Sequence, residues 1–289
     1  MSRFAFIHAQ RTDYPIRVLC DVLDVSRSGY YAWRRRPPSA RAQEDARLLA
    51  AVRQAHHDSR GTYGSPRLHR ALVRLGYRCG RHRVARLMRQ AGLRGIPHRK
   101  SVRTTRRAAD ATAIPDRLAR DFTAQAPNEK WVSDITYIPT GEGWLYLATV
   151  LDLYSRRVVG WAMATHMRAE LVLEALQMAY ARRGAPQNLI YHSDHGSQYT
   201  SAMVQTWLTE HQIQASMGSV GDCFDNAVAE SFYAILKREC VHRQTYATRR
   251  EARTHIFEFI EVFYNRQRLH STLDYQSPAE FEQAHRTLN

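Results

Sequence analysis

Three apolar segments separated by short turns constrain the fold of this chain more than any other feature. Residues 131–138 alternate between apolar and polar side chains, 145–151 are strongly apolar, and 158–163 form a third apolar segment. Alternation with a period of two is typical of half-buried strands, and Thr140-Gly141-Glu142-Gly143 predicts a turn. Consecutive strands joined by short turns usually pair with each other, so we predict an antiparallel three-stranded meander.

Helical and strand patterns alternate after this meander. We predict helices over 169–183, 201–211, 227–240 and 249–264, with short strands over 189–192 and 213–216. This order predicts an α/β core in which a mixed five-stranded sheet carries flanking helices.

The N-terminal half has helical patterns instead. Residues 14–36 predict two short helices around a turn, either a small helix-turn-helix or a plain helical hairpin. A linker at Pro37-Pro38-Ser39 precedes a helix over 41–57, a helix that Ser65 could cap, and a helix over 81–91 that Gly92 would end. We therefore predict an N-terminal helical segment at 1–40, a basic helix-turn-helix domain at 41–95, a basic linker at 96–121 and the α/β core at 122–282.

Charge is distributed unevenly between the two halves. The chain of 289 residues has a net charge of +15, yet residues 1–120 contain 27 Lys and Arg against 8 Asp and Glu, a net of +19, and the remainder has a net of −4. A uniformly solvated basic surface would not give this split. It favours a basic half that binds a polyanion, joined to a half that concentrates carboxylates.

The basic residues cluster on the predicted helix 81–91 and just after it. The helix has Val84, Leu87 and Met88 on one side and arginines at its other positions, which is typical of a DNA recognition helix, with a solvated basic helix as the alternative. The arginines are Arg81, Arg83, Arg86 and Arg89. The linker adds further candidate DNA contacts at Arg99, Lys100, Arg103, Arg106 and Arg107.

Several classes of protein are disfavoured. No apolar run approaches the length of a membrane span, and the N-terminus lacks the apolar stretch of a secretory signal, so we expect a cytoplasmic protein without membrane contact. The four cysteines, Cys20, Cys79, Cys223 and Cys240, form no CxxC pair. A zinc finger or a disulfide framework is therefore not indicated.

Three acids occupy positions that secondary structure would hold rigidly. Asp134 lies inside the first strand, Asp194 follows the end of the short strand 189–192, and Glu230 lies on a helix that begins near Asn226. Converging carboxylates repel each other unless a cation compensates them. Hard oxygen ligands suit Mg²⁺ or Mn²⁺, and two such ions can clamp an in-line phosphoryl displacement. Taken singly, each acid could instead be an ordinary capping or surface residue.

The span 122–282 resembles the integrase core of insertion-sequence transposases of the OrfB type. The match is carried by WVSDITYI with GWLYLATVLDLYSRRVVGWAM, by HSDHGSQYTS, by SMGSVGDCFDNAVAESFYAILKRE and by YNRQRLHSTLDYQSPAEF. Between Asp194 and Glu230 lie 35 residues, which is the DD(35)E spacing of that family. The basic segment 57–95 is similar to the helix-turn-helix that precedes such cores.

This resemblance implies a ribonuclease H-like fold and a DNA transposase. Asp134, Asp194 and Glu230 would bind two Mg²⁺ ions, for which Mn²⁺ can substitute. Cleavage at the ends of the element would leave a 3′-OH, which would then attack a second phosphodiester. The implied partners are double-stranded DNA (terminal inverted repeats and target), a second copy of the chain, and an upstream-frame (OrfA-type) protein or fusion. On this basis we expect the chain to associate with nucleoid DNA in a bacterial cytoplasm.

Four other residues lie close to the three acids in the sequence. In the family the basic residue matching Lys237 contacts DNA near the cut, although a solvated lysine is the alternative here. Asn226 stands where many relatives have arginine, and we expect it to cap the helix and orient Glu230. For His192 and His195 we favour orientation or packing over metal binding.

The tail motif has no chemistry that is readable from the sequence. Asn265, Arg266, Arg268 and His270 match the family there. Structural support and contact with the DNA backbone are both open for them.

Two alternatives come from other functional classes. One is a DNA-binding protein without catalysis, such as a domesticated transposase or a repressor, against which the presence of all three acids argues. The other is a nuclease of the same fold that cuts strands without joining them.

Overall fold

A five-stranded sheet with the order β3-β2-β1-β4-β5 forms the centre of the C-terminal half of the chain. The computed structural model describes residues 2–97, 114–218 and 227–286. The strands are β1 (Lys130–Thr140), β2 (Gly143–Asp152), β3 (Val158–Ala164), β4 (Ile190–Ser193) and β5 (Gln214–Met217). The first three pair as an antiparallel meander, while β4 runs parallel to β1 and β5 runs parallel to β4. The predicted mixed five-stranded sheet is therefore confirmed.

The alternation of β1 divides its side chains between two apolar cores. Trp131 belongs to the core formed with α7 (Ala169–Arg182) and α8 (Ala202–Glu210). Val132 and Ile138 belong to the core on the opposite face. Burial on both faces explains why β1 and β2 contain so few exposed polar residues.

Helix α7 packs against the sheet at an unusually close point on β3. A Cβ atom added at Gly160 would lie 2.1 Å from the backbone oxygen of Ala175. Only glycine therefore permits this approach of helix and strand.

The second face of the sheet is covered by α9 (Ala227–Glu239) and α10 (Arg249–Glu258). The last helix, α11 (Pro278–Arg286), instead contacts the turn after β2 and the end of α7, where Glu282 binds Ser155, Arg157 and Arg183. The predicted helix 249–264 is α-helical only as far as Glu258, because Phe259–Tyr264 continues as a π-helical turn.

The N-terminal half is helical, as predicted. Its helices are α1 (Arg3–Gln10), α2 (Ile16–Val22), α3 (Arg27–Arg35), α4 (Ala40–Asp58), α5 (Ser65–Arg74) and α6 (Arg81–Gln90). The sequence analysis did not predict α1. Gly64 rather than Ser65 is the N-cap of α5, whereas Gly92 follows the C-cap of α6 with a φ of +68°, as a terminating glycine requires. No helix in the described ranges is both long and apolar enough to span a bilayer.

Helices α4 to α6 share one apolar core with the C-terminal helices. The hydroxyl of Tyr63 accepts a hydrogen bond of 2.6 Å from the backbone N–H of Leu269. An ion pair between Arg74 and Glu280 adds a second link, with 2.5 Å between nitrogen and oxygen. The basic helical region is therefore held against the C-terminal segment of the α/β core.

Two residues of the tail motif serve as structural supports. Arg268 and Glu239 form a bidentate ion pair in which Nε lies 2.8 Å and Nη2 lies 2.7 Å from the carboxylate oxygens. The side chain of Asn265 accepts a hydrogen bond from the N–H of Val158 and donates one to its carbonyl oxygen. Of the other two residues of the motif, Arg266 is exposed and His270 is buried. Burial and the nearby arginines hold the pKa of His270 well below its ordinary value.

We predict that removing only one partner of the Arg268–Glu239 ion pair strongly lowers the free energy of unfolding. Arg268 and Glu239 are 1% and 5% exposed, so Arg268→Met leaves a buried carboxylate without its partner. The free energy of unfolding, measured with urea, should fall by about 3–5 kcal/mol.

A matched control and a double variant test this interpretation. Arg74→Met removes a half-exposed ion pair and should cost no more than about 1 kcal/mol. Combining Arg268→Met with Glu239→Leu removes both charges and should recover much of the lost stability. Equal losses for the two single variants would contradict the assigned role.

Candidate active site

Parallel pairing of β1 with β4 brings two of the three predicted acids together. Lys130, Trp131 and Val132 pair with Ile190, Tyr191 and His192 in register. Continuing this register by two residues sets Asp134 beside Asp194, immediately past the end of β4. Alternation puts Asp134 on the same face as Val132 and Ile138, which is the face covered by α9.

Each aspartate is fixed by a hydrogen bond to nearby backbone. The Asp134 carboxylate accepts from the N–H of Ile135 at 2.7 Å, and the Asp194 carboxylate accepts from the N–H of Gly196 at 3.0 Å. Asp134 is half-buried and Asp194 is exposed. The pair therefore lies at the edge of the core with one side open to solvent.

Tyr233 joins helix α9 to the strand that contains Asp134. Its hydroxyl donates to the backbone oxygen of Asp134 and lies 2.9 Å from the hydroxyl of Thr149 on β2. Glu230 precedes Tyr233 by three residues, almost one helical turn, and is exposed. Tyr233 was not predicted from the sequence as a residue of the site, although the sequence places it almost one helical turn after Glu230.

Asp134 is influenced electrostatically by the other two acids. Burial, reinforced by the negative charges of Asp194 and Glu230, raises the pKa of Asp134 to about 7. Lys237 acts in the opposite direction on Asp134, so it also lies near the site. Partial desolvation raises the pKa of Glu230. A cluster of carboxylates with this property is a site where a cation would be stabilising.

The donors suit hard divalent cations in type and charge. All three are carboxylates, the ligands that Mg²⁺ prefers, and a cation would offset both the burial and the neighbouring negative charges that raise the pKa of Asp134. Within the described ranges, however, no three His, Cys, Asp or Glu side chains converge closely enough to hold one ion. Metal binding would therefore require the three carboxylates to close together.

The two histidines beside Asp194 have partners within the protein. Nδ1 of buried His192 lies 2.9 Å from the hydroxyl of Ser216. Nε2 of His195 contacts the backbone oxygen of Gly218. Both rings thus tie the Asp194 loop to β5 and the residue that follows it.

The arginines of α6 divide into two groups. Arg83 and Arg86 bind Asp45 on α4, each at 2.7 Å, and lower the pKa of that carboxyl. Arg81 and Arg89 are exposed. Half of the predicted DNA-contacting set on this helix therefore also holds α6 to α4.

Several predicted residues lie outside the described ranges. They are Arg99, Lys100, Arg103, Arg106 and Arg107 of the linker, together with Cys223 and Asn226. Cys20, Cys79 and Cys240 are present as free thiols.

Family models match most of the chain. An HTH-like domain matches residues 43–101, an integrase core domain matches 124–223, and a second integrase core model matches 230–285. Together with the sheet and its flanking helices, these matches define an integrase core preceded by an HTH-like region.

Curated relatives identify the family. The transposase InsF for insertion sequence IS3A of Escherichia coli (strain K12) is 43% identical over 282 residues, which cover 97% of this chain and 98% of InsF. The insertion element IS600 31 kDa protein of Shigella sonnei is 42% identical and covers 93% of this chain. This chain belongs to the same family of insertion-sequence transposases.

Solved structures show a more distant likeness. The catalytic core domain of HTLV-2 integrase in complex with magnesium covers 55% of this chain at 15% identity and a TM-score of 0.44.

We predict that the pKa of Asp134 makes the metal-free protein less stable as the pH rises. The folded state holds a proton on Asp134 up to about pH 7, whereas the unfolded chain releases it near 3.8. Between these values the folded state binds more protons, so its stability falls with increasing pH. In EDTA at pH 8, Asp134→Asn should therefore raise Tm by roughly 5 °C.

This gain should shrink at pH 5, where Asp134 is largely protonated in the folded wild-type protein. Glu174→Gln, on the exposed face of α7, controls for the removal of one negative charge. If the Asp134→Asn variant and the wild type melt together at pH 8, the assigned electrostatic strain is absent.

Proposed function

We propose that Asp134, Asp194 and Glu230 are the catalytic carboxylates of a DDE-type polynucleotidyl transferase. The β1–β4 register is the observation that supports this most. It sets Asp134, which lies on the face covered by the helix of Glu230, beside Asp194. The Tyr233 hydroxyl bonded to the Asp134 backbone maintains that arrangement. Repulsion among three acids is unfavourable in a purely structural role, so their proximity favours a catalytic one.

The three carboxylates would hold two divalent cations, Mg²⁺ or Mn²⁺. Such ions, when bound, lower the pKa of an attacking water or hydroxyl and offset the charge on the leaving oxygen. The pKa of Asp134 is raised. A bound cation would lower this pKa, so Asp134 would release its proton when the cation binds. The hydrogen bonds to Ile135 and Gly196 keep the two aspartates oriented meanwhile.

The proposed reaction has two phosphoryl transfers. Water attacks a phosphodiester at the end of the element and releases a 3′-OH. That hydroxyl then attacks a second phosphodiester and displaces its 3′ oxygen, so the number of phosphodiester bonds is conserved in the joining step. Neither step requires a covalent bond between DNA and protein.

DNA at the ends of the element would be held by the basic half. Arg81 and Arg89 are exposed on α6, and the linker arginines add charge to the same half of the chain. Lys237, near Asp134, would contact DNA close to the cut. Joining two DNA ends would require at least two copies of the chain, and an OrfA-type partner or fusion would complete end recognition. We infer that this assembly works at the nucleoid in the bacterial cytoplasm.

We predict that Asp134→Asn, Asp194→Asn and Glu230→Gln each reduce cleavage of end DNA to the metal-free background. Each substitution removes a ligand charge while keeping a similar side-chain shape, and binding of uncut end DNA should change less than about twofold. The assay is nicking of labelled duplexes containing the terminal repeats, with and without Mg²⁺. A parallel assay for joined products distinguishes a transposase from a nuclease.

Glu174→Gln is the matched control and should cleave like the wild type. Retention of cleavage by Asp194→Asn would contradict the assignment. Loss of DNA binding in all three variants would indicate a structural rather than a catalytic effect.

A further inference from the structure

An exposed aromatic pair lies on the hairpin that begins at the candidate active site. Tyr137 on β1 and Trp144 on β2 pack edge to face, with ring centroids 5.0 Å apart and planes at 80°. Their exposed fractions are 54% and 48%. Large aromatic side chains are costly to leave exposed, so the pair is a candidate contact surface.

The pair lies close to Asp134 along the strand. Tyr137 follows Asp134 by three residues, a separation of about 10 Å at the rise of a strand, and this odd separation directs its side chain to the face opposite the Asp134 carboxylate. The two faces are linked at this point by Lys237, because it extends from α9, which covers the Asp134 face, to the Tyr137 ring. That is roughly the rise of three stacked nucleotides in one DNA strand. Strand β4 ends at Ser193, so the part of β1 that contains Tyr137 extends past it.

Two cations lie next to the aromatic pair. The Lys237 ammonium lies 5.2 Å from the centroid of the Tyr137 ring. Arg249 donates to the backbone oxygen of Trp144 at 3.2 Å, and its own backbone N–H donates to the Glu142 carboxylate. A cation over one half-exposed ring and a second at the backbone of the other match a partner that is both aromatic and anionic.

We propose that Tyr137 and Trp144 form a stacking platform for an unpaired nucleobase of the DNA strand held at the active site. A base within a closed duplex has both faces covered by its neighbours, so the platform requires a base that has left the stack. Lys237 would neutralise the adjoining phosphate. Tyr137 and Trp144 are then positioning residues that hold the strand near the reacting phosphodiester. This inference extends the proposed function.

The test compares oligonucleotides that differ only in their bases. The full chain is titrated in EDTA with a fluorescein-labelled thymidine 12-mer and with an abasic 12-mer of equal charge, and Kd is measured by anisotropy. For the Tyr137→Ala/Trp144→Ala variant, affinity for the thymidine 12-mer should fall by about 5- to 100-fold. Affinity for the abasic 12-mer should change less than about twofold, because phosphate contacts are retained.

Matched variants separate stacking from stability. Tyr137→Phe keeps a flat ring and should bind both oligonucleotides like the wild type. Tyr137→Leu/Trp144→Leu keeps apolar bulk without a flat face and should repeat the loss seen with alanine, even if the alanine variant folds poorly. Phe257→Ala removes an exposed ring that packs on Trp161 of the far strand β3, and it should have no effect.

An equal loss of affinity for both oligonucleotides, or no loss for either, would overturn the platform and leave the pair as a cross-strand support of the hairpin. The measurement needs no metal and no cleavage. Its failure is therefore distinguishable from failure of the carboxylate assignment, which is tested by nicking.

Discussion

Parallel pairing between β1 and the short strand β4 is the constraint on which the rest of the site depends. The two strands come from segments almost 60 residues apart in the sequence, and only three residue pairs join them. Those pairs fix the register that sets Asp134 beside Asp194. A slip by one residue would turn a carboxylate to the opposite face of the sheet, so the extensive burial around β1 protects the geometry of the site.

The carboxylates are held by a structure that tolerates their repulsion. Two apolar cores pack on opposite faces of the sheet, and Tyr233 ties α9 to β1 and β2 from within one of them. Burial of Asp134, together with the negative charges of Asp194 and Glu230, raises its pKa. Packing of the core thus stabilises a local arrangement of negative charges that would be unfavourable in isolation. The same negative charges would attract divalent cations, which in turn would bind phosphodiesters.

The basic half is not an independent appendage in this structure. Tyr63, Arg74 and the apolar side chains of α4 to α6 contact the C-terminal helices directly. The resemblance to the family left the tail motif without an assigned role. In the structure, Arg268 and Asn265 of this motif support the core from within. The exposed aromatic pair lies on the β1–β2 hairpin, where Lys237 of α9 contacts the Tyr137 ring.

The sequence by itself determined the local structure and predicted the chemistry. Alternation in 131–163 predicted the meander, helical periodicity predicted α4 to α9, and the spacing of Asp194 and Glu230 led to the proposal for the acids. Such signals are local, since they depend on side-chain periodicity and on residue type. Tertiary structure decided which side chains meet across long separations: the Asp45 pairs with Arg83 and Arg86, the Arg268–Glu239 pair, the Tyr233 link and the Lys237–Tyr137 contact. No periodicity predicts these contacts, because they form only when distant segments pack and the buried charges and hydroxyls must find partners.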